Sequence, residues 1–414
     1  MIDFVARRFK HQSVVKIDIT NRLKSKELLV NFVALRMLVG DRAKYLGMIF
    51  GVTFAAFLMV QQGSIFWGLL SRTAGFITDQ RQHDVWVTEP DVRFIDDPKP
   101  LPDTALSRIR GVNGVKWAVP LYKGLLSARL PGDRFEQVQV IGIDEGTFIG
   151  GPMEMVEGSL TDLRKADAVI VEESGAKGRL ARVGPKGESI PLKVGDTLEI
   201  NDRRAVVVGV CRLSRTFVNQ PALVTTYARA TQYAPSQRRL MNFVLAKADA
   251  GITPDELATR ITKTTGLGAY TSEEFWWKTF WFFFKNTGIP INFGMSVALG
   301  FLVGAAIVGQ TFYQFTADNI KHFGALKAMG TGNFRILGMV MLQATLVGVK
   351  GYGLGVGLAS LLGWRAGLNG NLAFRMTEWH LIFTAVAVLV IILLSAFLSV
   401  VKIFRTEPAI VFRG

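Results

Sequence analysis

The sequence predicts an α-helical membrane protein: four transmembrane helices, with a mixed α+β extracytoplasmic domain inserted between helices 1 and 2. Three observations predict it. Residues 45–71, 289–316, 334–362 and 379–403 are long apolar stretches without an interior Asp or Glu, and a bilayer needs about 20 such residues per helix. A long polar segment, 72–288, separates the first stretch from the second. The basic residues gather where one set of loops would lie. The 414 residues are 49% hydrophobic and the mean hydropathy is +0.29. That is too apolar for an ordinary soluble chain and too polar for one wholly embedded in lipid.

Orientation follows from Lys and Arg in the short loops. Segment 1–44 carries ten basic residues, the 317–333 loop and its edge carry Lys321, Lys327 and Arg335, and the 404–414 tail and its edge carry Lys402, Arg405 and Arg413. With four spans these regions share one side, which reads as cytoplasmic, so both termini are expected there and 72–288 and 363–378 outside. The formal net charge of +15 is then explained by flanks that meet anionic membrane lipids, and no nucleic-acid partner is expected. The first apolar run begins near Tyr45 and has no small-residue cleavage site after it, so it is expected to remain as an anchor.

The elements follow in order. Lys26 to Asp41 has apolar residues at helical spacing and predicts an amphipathic helix feeding the first span. In the outer segment, 84–87, 115–122, 136–143, 167–172 and 205–210 read as strands, with a turn at Pro131-Gly132-Asp133. Thr104 to Ile109 is a short helix candidate, and Pro254 to Thr265 reads as a helix with Pro near its start and Gly266 after its end. Residues 273–285 (EEFWWKTFWFFFK) are dense in aromatics and read as an interfacial lead-in to the second span. Asp318 to Met329 predicts a short helix stopped by Gly330-Thr331-Gly332.

Enzyme chemistry is not expected. GxxxxGK[ST], HExxH, CxxC and GxSxG are all absent, and His11, His83, His322 and His380 are scattered. No catalytic residue, metal site or cofactor bound by this chain is therefore predicted. Cys211 is the only cysteine; it excludes an intramolecular disulfide and reads as a small core residue. Gly300 and Gly304, and Gly353 and Gly357, form GxxxG pairs, which serve either packing within the chain or a dimer interface. Lys350 falls near the middle of the third span, where a cation costs ~2.5–3.5 kcal/mol. Either it faces water, carbonyls or an anionic ligand, or it snorkels to the interface.

Gly324-Ala325-Leu326-Lys327-Ala328-Met329-Gly330 with Arg335-Ile336 resembles a signature of the MacB/FtsX/LolC-type permeases of ABC transporters. Thr406-Glu407-Pro408-Ala409 with Arg413 resembles the family's closing motif. Val194 to Leu198 followed by Val206 to Val210 is similar to a strand pair of its outer domain. Ala34 to Leu38 with Gly40 to Leu46 looks most like the DevC-like branch of exporter permeases. The family carries an acidic residue just before the first motif, where this chain has Lys321 and His322.

The resemblance implies a MacB-like periplasmic core domain over 72–288 and a mechanotransmission permease that exports or extrudes a substrate. It implies that ATP and Mg are handled by a separate cytoplasmic ATPase docking on Lys321, His322, Gly324, Leu326, Lys327, Met329 and Gly330. It also implies a second permease copy and, for the DevC-like branch, a periplasmic adaptor and an outer-membrane channel. An FtsX-like signalling protein acting on a cell-wall hydrolase and a LolC-like lipoprotein-releasing subunit are the alternatives. The length of 72–288 favours the exporters, because FtsX-like outer domains are smaller.

Overall fold

The computed structural model describes residues 31–184, 187–214, 220–235, 241–369 and 372–404. The start of the N-terminal segment and the tail with Thr406 to Arg413 lie outside them. The helices, in order, are α1 (Asn31–Gly40), α2 (Arg42–Thr73), α3 (Gly75–Asp79), α4 (Ala105–Arg110), α5 (Glu173–Lys177) and α6 (Tyr227–Tyr233). They continue with α7 (Pro254–Thr265), α8 (Ser272–Asn286), α9 (Ile289–Asp318), α10 (Ile320–Ala328), α11 (Asn333–Asn369) and α12 (Glu378–Phe404). Among the described residues four helices, α2, α9, α11 and α12, are long and apolar enough to cross a membrane. They outlast the apolar stretches in the sequence because backbone hydrogen bonding continues past the lipid boundary; α11 runs to Asn369.

The chain divides into two compact units, Met1–Trp67 with Pro290–Gly414, and Gly68–Ile289. The first is a helical bundle. Its core joins Val52, Ala55 and Ala56 of α2, Val308 and Phe312 of α9, Val340 and Val347 of α11, and Ile391 and Ile392 of α12.

The second unit is built on β1 (Val85–Thr88), β2 (Val115–Leu130), β3 (Arg134–Ile143), β4 (Glu154–Glu157), β5 (Ala168–Glu172) and β6 (Arg182–Val183). The remaining strands are β7 (Ser189–Ile190), β8 (Thr197–Ile200), β9 (Arg203–Arg212), β10 (Ala222–Thr226), β11 (Phe243–Ala248) and β12 (Gly268–Thr271). The main sheet runs β12-β1-β11-β2-β3-β10-β5-β9-β4, with β8 pairing β2 and β9, while β6 and β7 form a separate pair. The long β2 joins two halves. Its first part pairs with β11 (Leu121↔Phe243) and its second with β3, from Tyr122↔Gly142 to Leu130↔Arg134. Gly132 (φ 88°) and Asp133 (φ 59°) close the β2–β3 hairpin in the left-handed region.

Local chemistry fixes the helices of this unit. In α7 the Thr253 side chain accepts from the Glu256 amide at 3.3 Å, and Gly266 caps the end at φ 71°. A capping box starts α8: the Glu274 amide donates to Thr271 Oγ1 (3.2 Å) and the Thr271 amide to Glu274 Oε2 (2.9 Å). Trp86, Phe243 and Phe275 pack edge-on and tilted in the core beneath α8.

Candidate functional site

The membrane unit gathers the sequence candidates around α10. Phe323 is fully buried in a cluster with Leu38 of α1, Ile336 of α11 and Ile403 of α12, so it acts as the peg of the short helix. Four residues on, and so on the same face, Lys327 donates from Nζ to the Ile403 carbonyl at 2.8 Å. That carbonyl lies in the last turn of α12, where backbone acceptors lack helical partners and a cation is favoured. Gly324 is buried on the same inner side, and Leu326 is half-buried. Lys321, His322, Met329 and Gly330 face outward, and Met329 and Phe334 are 74% and 89% exposed. The seven candidates therefore split: Lys327 ties the helix down beside the buried Gly324, Leu326 is half-buried, and the outward residues form a surface.

Charged and polar groups tie this end of the bundle together. The Lys44 ammonium is shared between Asp41 Oδ2 (2.6 Å) and Asp318 at the end of α9. Gln343 of α11, fully buried, donates to the Ala34 carbonyl of α1 at 2.7 Å. Lys350 donates to the Tyr45 hydroxyl at 2.9 Å and is itself exposed. These partners were not foreseen, because Lys350 and Tyr45 are 305 residues apart; the signal was the cation itself.

The glycines also divide. A Cβ on Gly304 would strike that of Ala55, and one on Gly300 would lie 3.1 Å from Leu58 Cβ, so this GxxxG pair seats α9 on α2 within the chain. The surface of that pair is covered by α2 of the same chain. Gly51 does the same from the α2 side, where a Cβ would come 2.8 Å from Ile307 Cγ2. On α11 the contacting glycines are Gly348, Gly351, Gly355 and Gly363, against Ile392, Val52, the Thr53 carbonyl and the Phe374 ring. Gly353 and Gly357 have nothing within 4 Å.

In the other unit, Lys123 of β2 is only 1% exposed and makes an ion pair with Asp96. Gln139 Nε2 donates to the same carboxylate at 3.2 Å, and Asn242 Oδ1 accepts from the Lys123 amide at 3.1 Å. The Asp96 loop is fastened to α8, since the Ile95 amide donates to Thr279 Oγ1 at 3.2 Å and Phe94 stacks on Phe282. His83 is buried edge-on to Trp86 (4.7 Å between ring centroids), and neither ring nitrogen has a partner among the described residues. Burial pushes its pKa down to about 4, against a partial opposing pull from Asp84. Cys211 is buried and free, and burial pushes its thiol up to about 12. No group of three or more His, Cys, Asp or Glu suited to a metal ion occurs among the described residues.

Two family models match this chain: the MacB-like periplasmic core domain over residues 45–264 and the FtsX-like permease C-terminal over 294–408. A hemin transport system permease protein, HrtB, of Staphylococcus haemolyticus is 27% identical over 120 residues, which are 29% of this chain and 33% of that relative. The chain thus matches a third of that curated relative's length. The extracellular domain of the noncanonic ABC-type transporter YknZ from Gram-positive bacteria is 13% identical, with 46% of this chain and 99% of that one covered, at a TM-score of 0.32. The periplasmic region of MacB from Actinobacillus actinomycetemcomitans is 14% identical, with 48% and 92% covered, at a TM-score of 0.34. The assignment rests on the family models, the first of which alone spans more than half the sequence. With four candidate spans and a mixed α/β domain between the first and second, the chain belongs to the MacB/FtsX-type permease subunits of ABC transporters.

Proposed function

We propose that this permease couples a partner ATPase in the cytoplasm to export or extrusion of a substrate on the far side of the inner membrane. Both termini lie in the cytoplasm in this reading, which the basic flanks support. The observation that carries it is the build of α10. A helix of nine residues is pegged to the bundle by Phe323 and Lys327 while Lys321, His322, Met329 and Phe334 stay outward. Force applied to the outward side is passed to α11 and α12 through the peg. The ATPase closes on ATP and Mg and opens on hydrolysis, and this biases two arrangements of the bundle.

A second copy of the chain docks on the free side of α9. Met295, Leu299 and Leu302 are exposed there, opposite the face seated on α2. A periplasmic adaptor and an outer-membrane channel complete the export route.

The test is to tag the chain in its native membrane, purify it in mild detergent and identify its stoichiometric companions. An ATPase with an adaptor supports the export reading. A cell-wall hydrolase in place of the adaptor contradicts export, and recovery of no ATPase contradicts the coupling itself.

A further inference from the structure

Lys350 combines three features that the coupling role does not use. It is exposed on a membrane-spanning helix, it has no ion pair among the described residues, and its one hydrogen bond is to the Tyr45 hydroxyl. Asp41 and Asp318 pair with Lys44 instead.

Its depth follows from its neighbours. Gly351, the next residue, packs on Val52 and lies 3.2 Å from the Ile49 carbonyl as a Cβ would be placed. The ammonium reaches Tyr45 instead, about one to two turns nearer the N-terminal end of α2. Tyr45 follows Lys44, whose pair with Asp318 joins the ends of two spans. The cation thus snorkels toward the headgroup level of the leaflet on that side.

What lies beyond it toward the bilayer centre is also specific. Lys350, Gly353, Leu354, Gly357, Leu361 and Trp364 recur at spacings of three and four and share one face of α11. The two glycines have nothing within 4 Å, and the leucines and Trp364 stand exposed around them. The result is an apolar trough with a cation and a hydroxyl at one end, which is the polarity of a phospholipid.

We propose that this face binds one anionic phospholipid from the leaflet at the N-terminal end of α2. Its phosphodiester rests on Lys350 and the Tyr45 hydroxyl, and an acyl chain lies over Gly353 and Gly357. The site is independent of the export reading.

The full chain is placed in nanodiscs of equal parts phosphatidylglycerol and phosphatidylcholine, and the lipids it retains on release are counted by native mass spectrometry. Phosphatidylglycerol is expected to be enriched over phosphatidylcholine. Lys350→Gln should lower that enrichment about fivefold, the ratio expected for one basic residue at an anionic surface; Lys350→Arg should keep it. Gly357→Leu, which fills the trough and leaves the cation, should lower it as well, and excess inorganic phosphate should not displace the lipid. Tyr45→Phe removes only the hydroxyl and carries the test if Lys350→Gln does not fold. Equal retention by wild type and Lys350→Gln, or by Tyr45→Phe in its place, overturns the proposal. So does displacement by phosphate alone, which means an anion site without a lipid. A ready disulfide between two copies through Gly353→Cys overturns it in favour of a second protein chain on this face.

Discussion

Lys123 and Lys350 set the two units of the molecule against each other. Both are cations on apolar elements. In the β-sheet unit the interior excludes water, and Lys123 is buried against a dedicated carboxylate with Gln139 bridging to it. In the helical unit the apolar solvent is outside, and Lys350 sits on the surface with a single hydroxyl. Glycine serves both units in different ways. In the helical unit Gly51, Gly304, Gly351 and Gly355 let whole helices approach, whereas the sheet unit is filled by Trp86, Phe243 and aliphatic side chains and uses Gly158 and Gly209 where β9 meets the end of β4. In a lipid solvent burial of apolar surface drives nothing, so close contact and polar ties do the holding. In water, burial itself holds.

The comparison can be broken most readily at Lys123. Asp96→Ala strands a buried ammonium, and the sheet unit should lose about 2–4 kcal/mol, near the range for a broken buried pair and reduced because Asp96 is partly exposed. Lys123→Met with Asp96→Ala should recover most of the loss. Urea unfolding of the purified chain, followed by tryptophan fluorescence, reads both.

His83 gives the next effect. Its pKa is about 4 folded and ~6.5 unfolded, so the unfolded chain binds the extra proton. Stability is full above the unfolded value and falls as pH drops through the folded one, by at most about 3 kcal/mol. His83→Phe should flatten that part of the pH profile.

The two GxxxG pairs provide a sharper contrast. Gly304→Leu forces α9 from α2 and should cost roughly 1–3 kcal/mol. Gly353→Leu meets open space and should leave the thermal midpoint unchanged. Equal losses would erase the distinction between a covered and a free glycine face. The smallest effect concerns Cys211, whose thiol is held protonated by burial. Maleimide should not label it in the folded chain and should do so in denaturant.

Much of this was legible in the sequence. The four spans came from length and apolarity, and α7 from Pro254 near its start and Gly266 after its end; its Thr253 cap appears only in the structure. What escaped depended on partners far along the chain. The strand expected at 115–122 continues to Leu130, because the charge of Lys123, which breaks the apolar run, is met by Asp96, 27 residues away. The neighbours of β1 in the sheet are β11 and β12, which lie at the far end of the domain, and no local pattern encodes that order. The GxxxG spacing gave close packing but not its partner; only the structure separates Gly300 and Gly304 from Gly353 and Gly357. Around α10 the residue types were legible and their facing was not, since Phe323 and Lys327 are inward only by virtue of α1, α11 and α12.

The central claim is that the outward side of α10 receives the ATPase. Cys211 is buried, so a cysteine introduced at Met329 is the accessible thiol for a short bifunctional cross-linker, and one at Gly353 on the free face of α11 is its control. In membranes containing the partner ATPase, Met329→Cys should cross-link to it, with a yield that changes between ATP-bound and nucleotide-free states, and Gly353→Cys should not. Absence of an ATPase adduct at Met329, or equal adducts at both positions, would contradict the account.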